Sequence, residues 1–302
     1  MRLSYRTLFK TPSGLEYLHL QGGGKDILSV QGAVSAEGRI RRVYACGMRL
    51  LQASPDSSLN PVACVGNADG FNAVFEGVLG GPLREFLRHA PASLQYAQGK
   101  RTGRLLRAFH SGPLSVRQRK KASDRQSKLL ERLALYISSM PHFNGDEAAV
   151  KLISSRFGHY DCNRPCMRFG QLRHDRIYVK GDLSIVFLPS STLGPGDASE
   201  DFALMECMSA GIFPIFCAGV VDGYFQGEIP ADFFSDLALQ SALYALWKCG
   251  KYASASPKAF KLMQREFDRI AADFSLFKES IPLWYVAGAT QKARQEALRS
   301  GL

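Results

Sequence analysis

Residues Leu183–Phe216, LSIVFLPSSTLGPGDASEDFALMECMSAGIFPIF, constrain this chain more than any other stretch. The apolar run Leu183–Leu188 is short enough to be a buried strand. A loop rich in Ser, Gly and Pro follows over Pro189–Ser199. Glu200 and Asp201 head a helical stretch that closes at Gly211, and the apolar run Ile212–Phe216 reads as the next strand. Strand, loop, acid-headed helix and strand together make one unit of a parallel α/β sheet. Ligands of such sheets sit at the carboxyl ends of strands, beside helix N-termini. The loop and Glu200–Glu206 therefore mark the candidate site.

Other segments extend the pattern. Ile27–Val30 and Val62–Gly66 read as strands flanking a helix, Arg39–Ala53, whose Ile40, Val43, Tyr44, Met48 and Leu51 form a core face. Cys166–Gly170 reads as a fifth strand. The expectation is an α/β, Rossmann-like parallel sheet over residues 27–302, preceded by a linker-like segment, 1–26, that runs through Gly22-Gly23-Gly24. Phe71–His89 has a helical pattern interrupted at Gly77, Gly80, Gly81 and Pro82, and Tyr96–Gly112 looks irregular. Ser127–Ser138 reads as an amphipathic helix, Asp146 as the N-cap of a helix over Glu147–Arg156. Three C-terminal helices are expected over Ala231–Trp247, Pro257–Asp273 and Ser280–Ser300.

The pieces Pro189-Ser190, Glu200-Asp201-Phe202-Ala203, Glu206-Cys207-Met208-Ser209-Ala210-Gly211 and Pro214-Ile215 resemble the donor-site signature of the retaining GT-B glycosyltransferases, family 4. Thr11–Glu16 resembles the segment that joins that family's two halves, and Ile27–Gly66 its first donor-domain unit. The resemblance implies the C-terminal, nucleotide-sugar donor half of a GT-B fold, with a basic, partly helical insert at about 80–162. It implies transfer from a nucleoside diphosphate sugar, without metal or other cofactor, in company with an acceptor-domain protein partner. In that scheme Glu200 or Asp201 contacts the donor sugar hydroxyls, with Glu200 as the catalytic candidate, and Glu206 holds the ribose hydroxyls. The amides of Phe202, Ala203 and Leu204 face the diphosphate, and Gly32, Gly66 and Ser190 line the donor pocket. The family's diphosphate-holding Arg and Lys fall on Gly32 and Glu37, which implies weak donor binding. A non-catalytic GT-B remnant acting as scaffold or regulatory subunit is the alternative, as is an anionic-surface binding protein.

The last alternative comes from charge. Of a net +11, Gly99–Arg132 contributes +9, eleven Lys or Arg against Asp124 and Glu131. Such a patch favours an anionic partner, an acidic membrane surface included. Phe109 is its only aromatic residue, which argues against nucleic acid. The longest apolar run, Ala210–Val221, is too short for a bilayer, Met1–Lys10 lacks the apolar core of a signal peptide, and seven scattered cysteines suggest no disulfide framework. The expected location is cytoplasmic or peripheral to a membrane. His159, Cys162, Cys166 and His174 lie close in sequence, but their spacing suits buried free thiols better than zinc.

Overall fold

The computed structural model describes residues 4–22, 24–56, 58–156, 164–253 and 255–302. In chain order it runs β1 (Ser4–Lys10), β2 (Glu16–Gly22), β3 (Lys25–Gly32), α1 (Glu37–Ala53), β4 (Asn60–Gly66), β5 (Phe71–Glu76), β6 (Gly81–Pro82), α2 (Leu83–His89), α3 (Ala92–Ser111), α4 (Val116–Ser139) and α5 (Asp146–Arg156). There follow β7 (Pro165–Arg168), β8 (Ile177–Val179), β9 (Ile185–Phe187), β10 (Gly194–Asp197), α6 (Ser199–Met205), α7 (Pro214–Phe225), α8 (Phe233–Ala253), α9 (Pro257–Asp273), α10 (Leu283–Val286) and α11 (Gly288–Arg299). Two compact units result. The first holds Met1–His89, Leu105–Gly112 and Phe169–Gly194; the second holds Ala90–Arg104, Pro113–Arg168 and Pro195–Leu302.

The first unit is built on a five-stranded sheet of order β1-β2-β3-β5-β4 in which every neighbour is antiparallel. This overturns the parallel, Rossmann-like expectation. The strand–helix–strand reading of 27–66 does find β3, α1 and β4, but β5 lies between the two strands and pairs with both, Val30 opposite Ala73 and Ala73 opposite Cys64. The turn that brings β5 back is local chemistry. Asn67 Oδ1 accepts the amides of Asp69 and Gly70, each at 3.0 Å, the turn-forming habit of Asn. Ala73 and Phe75 are buried while Asn72 and Val74 are partly exposed, so the segment has the period of a strand, not a helix. The residues read as a linker form β1 and β2. A smaller antiparallel sheet, β6-β8-β9, completes this unit.

Leu28 and Val30 of β3, Ile40 and Val43 of α1, Phe75 of β5, Val186 of β9 and Leu188 just after it form one core. Gly47 lets α1 close on it, because a Cβ there would stand 2.3 Å from the Phe75 ring.

The second unit is mainly helical, with β7 and β10 as a short two-stranded sheet. Tyr96–Gly112, read as irregular, lies almost wholly in α3. The glycines that hid the helix are a packing device: a Cβ on Gly99 would stand 2.1 Å from the Phe216 carbonyl, and one on Gly223 2.2 Å from the Lys100 carbonyl. Ile212–Phe216, expected as a strand, instead leads into α7 with Pro214 at its first turn, where proline costs no hydrogen bond. Residues Phe216–Val221 are buried on every side of that helix, and a helix apolar all round has no periodicity to tell it from a strand. Asp146 opens α5 as expected, but its carboxylate also accepts from the Tyr136 hydroxyl at 2.5 Å and lies 2.7 Å from His142 Nδ1. Arg104, Arg107, Arg117, Arg119, Lys120 and Lys121 are exposed on α3 and α4. Among the described residues no helix is long and apolar enough to cross a membrane.

Candidate functional site

The helix headed by Glu200 is an interior element. Glu200 accepts the Asp197 amide at 3.2 Å and stands 3.3 Å from Arg168 Nη1, so its carboxylate is spent on β7 and β10. Phe202 is buried against the rings of Tyr224, Phe225 and Phe233. Phe202, Ala203 and Leu204 are the fourth to sixth residues of α6, past the turn whose amides lack helical partners. Glu206 is wholly buried, with Arg269 Nη1 at 2.9 Å and Trp284 Nε1 donating to its other oxygen. Burial pushes its carboxyl up to about 7, against the pull of Arg269. None of these five residues offers a group to a sugar nucleotide.

The remaining three predicted residues belong to the first unit, in two cavities. Gly32 and Gly66 share a cavity of about 490 Å³ with Glu16, Asn67 and Asp69. Glu16 there is taken up by the Thr7 hydroxyl and Lys10, both at 3.2 Å. Ser190 lines the other, of about 240 Å³, whose walls come from three places.

One wall is the β1–β2 turn. Thr11 Oγ1 accepts the Leu15 amide at 2.9 Å and lies 3.0 Å from Ser13 Oγ, and Gly14 takes φ +82° to close the turn. Phe9 and Tyr17 flank it with stacked rings, centroids 4.3 Å apart. A second wall is Leu188–Thr192. Tyr17 donates to the Pro189 carbonyl at 2.9 Å, and Ser190 and Thr192 hydroxyls meet at 2.6 Å. Burial pushes the Tyr17 phenol well up. The third wall is the loop of Gln171, Arg173 and Arg176. Arg173 grips Asp175 through two bonds of 2.8 and 2.7 Å. The Arg176 guanidinium lies 3.4 Å from the Phe9 centroid, on a ring whose other neighbour is Tyr17.

Sequence reasoning reached Ser190 but missed Phe9, Tyr17, Arg173 and Arg176. A signal was available for the turn: Thr11-Pro12-Ser13-Gly14 sits between two alternating runs, the mark of a hairpin. Arg173 and Arg176 carry no such mark, since their roles depend on pairings across the unit.

No family model matches the chain, and no curated protein matches it. Solved structures do. A spectinomycin phosphotransferase in complex with ADP and spectinomycin superposes with a TM-score of 0.61 at 9% identity, over 97% of this chain and 93% of that one. A macrolide 2'-phosphotransferase from Brachybacterium faecium gives 0.60 at 12% identity, over 89% and 93%. An ADP-bound aminoglycoside phosphotransferase gives 0.59 at 13%, over 94% of each chain. The fold is that of the aminoglycoside and macrolide phosphotransferases. It is protein-kinase-like, an antiparallel sheet and a helical part. The GT-B resemblance is thereby overturned, and with it the glycosyltransferase reading, the nucleoside diphosphate sugar and the acceptor-domain partner it implied.

A protein-kinase-like fold brings the question of Mg²⁺ and ATP. Protein kinases hold the metal with Asp and Asn side chains and the phosphates with a lysine of the third strand, itself paired with a helix glutamate. The third strand here carries Lys25 alone, at its exposed first position, 3.6 Å from Glu76. Its buried side chains are Leu28, Ser29 and Val30, and Leu28 and Val30 meet Ile40 and Val43 of α1. Glu37, the sole acid of α1, pairs with Arg41 at 2.7 Å. The 240 Å³ cavity has no Asp, Glu or Lys in its walls. Among the described residues no group of His, Cys, Asp and Glu is placed to hold a metal. His159 and Cys162 lie outside them, and Cys166 is a buried thiol pushed well up by burial. Neither the third strand nor the walls of the 240 Å³ cavity fit a metal-bound nucleoside triphosphate.

Proposed function

We propose that this chain is a small-ligand-binding protein on the phosphotransferase fold that does not itself transfer phosphate. The observation that carries the reading is the wall composition of the first unit's 240 Å³ cavity: hydroxyls, two guanidinium groups and aromatic rings, with no carboxylate and no lysine. Phosphoryl transfer depends on positioned metal ions and charge stabilisation, and nothing in that wall would seat the metal. The six described cysteines are free thiols, which supports a cytoplasmic location.

A second reading is phosphoryl transfer to a small molecule. The fold likeness favours it, since the similar structures are spectinomycin, macrolide and aminoglycoside phosphotransferases. One assay separates the two. The purified chain is incubated with ATP and Mg²⁺ or Mn²⁺, alone and with spectinomycin, a macrolide or an aminoglycoside, and ADP is measured. No ADP above the enzyme-free rate is expected. ADP formation that saturates with acceptor would establish the transferase reading instead.

A further inference from the structure

Arg176 is a half-buried cation short of counter-charge. Its side chain is 17% exposed, and its nearest carboxylate, Asp175, is 4.0 Å away. That carboxylate is already bound on both oxygens by Arg173. Two guanidinium groups thus share one carboxylate at the cavity wall, leaving about one positive charge uncompensated. Burial lowers the Arg176 pKa, Asp175 opposes that shift and the neighbouring Arg173 adds to it, yet arginine does not give up its proton in proteins. A half-buried guanidinium with its carboxylate engaged elsewhere gains from a further anionic partner.

We propose that the cavity bounded by Thr11, Ser13, Arg173, Arg176 and Ser190 is a metal-independent site for the phosphate group of a small anion, with Arg176 as its principal counter-charge. The proposal deepens the non-catalytic reading and rests on it for the absence of a metal. Guanidinium forks suit oxyanions, and hydroxyls converging from the turn and the Ser190 loop suit a group with many acceptor lone pairs. The size argues for a small ligand: about 240 Å³ is the share of roughly eight waters. Purine stacking is not provided for, because Phe9 has Arg176 and Tyr17 as its partners. Inorganic phosphate and a phosphate monoester are the two sources of this chemistry.

The test is calorimetry on the full chain in EDTA, with inorganic phosphate, glycerol 3-phosphate and ADP as separate titrants. Saturable binding of phosphate or glycerol 3-phosphate is expected, weakened at least about tenfold in Arg176→Gln, as for loss of a charged hydrogen-bond partner. A preference for the monoester identifies it as the source; equal affinity identifies the free ion. Arg176→Lys keeps the charge without the fork, so intermediate affinity supports the assignment even if Arg176→Gln proves unstable by circular dichroism. No binding at millimolar ligand, or binding unchanged in both variants, overturns the site. The outcome is separable from the ATP assay. ADP formation with Mg²⁺ overturns the non-catalytic reading, whereas a silent ATP assay with no anion binding in EDTA overturns only the site.

Discussion

Glu206 was read as a ligand-binding glutamate and is instead the centre of a buried charge cluster. Arg269 serves three carboxylates: Glu206 at 2.9 Å, Glu266 at 2.6 Å, and Asp273. Burial, and then repulsion from Asp273, raise the Glu206 carboxyl to about 7 from an unfolded value near 4.5. The sign of the pH dependence follows from linkage. Between those two values the native state holds a proton that the unfolded state has released, so stability falls as pH rises. The contribution is complete below about 4.5 and lost above about 7. Urea unfolding from pH 5 to pH 8 should show that decline, and Glu206→Gln, which cannot ionise, should flatten it. A wild-type profile that rises across this window would show that Arg269 outweighs burial. Glu206→Ala should cost about 1–3 kcal/mol by taking the acceptor from the buried Trp284 Nε1 and one partner from Arg269, which keeps Glu266 and Asp273. The sequence marked Glu206 as unusual through the Cys207–Gly211 context, but its partner lies 63 positions away. No local pattern announces such a pair.

At the scale of elements, the contact between α3 and α7 is decided by glycines. Gly99 and Gly103 on one helix face Gly219 and Gly223 on the other, each with backbone where a Cβ would stand. Alanine favours a helix over glycine by about 1 kcal/mol. At Gly103, however, the new Cβ would be 2.1 Å from the Val220 carbonyl and 2.6 Å from the Tyr224 nitrogen. Backbone cannot swing aside as a side chain can, so overpacking of about 1–3 kcal/mol or more should win. Gly103→Ala is expected to lower the thermal midpoint, and Gly38→Ala, with nothing within 4 Å, to leave it unchanged or raise it. Equal effects at the two positions would contradict close helix contact. The same glycines explain why α3 looked irregular in the sequence while α1 and α9 did not. Pro257–Asp273 matched its expected bounds because one face is apolar and Ser256 caps it, accepting the Ala259 amide at 3.3 Å. Strand direction was the part least legible. Segments β3 and β4 bracket a helix as parallel neighbours would, and only the pairing of β5 with both shows otherwise.

For the molecule as a whole, fold and chemistry point different ways, and a single measurement can weigh them. A kinase-like enzyme that binds a metal–nucleotide complex gains stability when both are present, because whatever binds the native state alone stabilises it. The wall of the 240 Å³ cavity carries no carboxylate, and both oxygens of Asp175 are held by Arg173. Magnesium should therefore contribute nothing. The thermal midpoint of the full chain is expected to be the same in Mg²⁺ as in EDTA, and the same again when ATP accompanies Mg²⁺ at equal ionic strength. Phosphate or a phosphate monoester should raise it by the same amount in Mg²⁺ and in EDTA. At a hundredfold excess over the dissociation constant, linkage gives about 2.7 kcal/mol, a shift of several degrees for a chain of this size. Arg176→Gln should remove most of that shift while leaving the ligand-free midpoint within a few degrees. A midpoint that rises with Mg²⁺–ATP but not with either component alone would mean that the chain binds the metal–nucleotide pair after all. The fold would then be the better guide to function than the cavity wall.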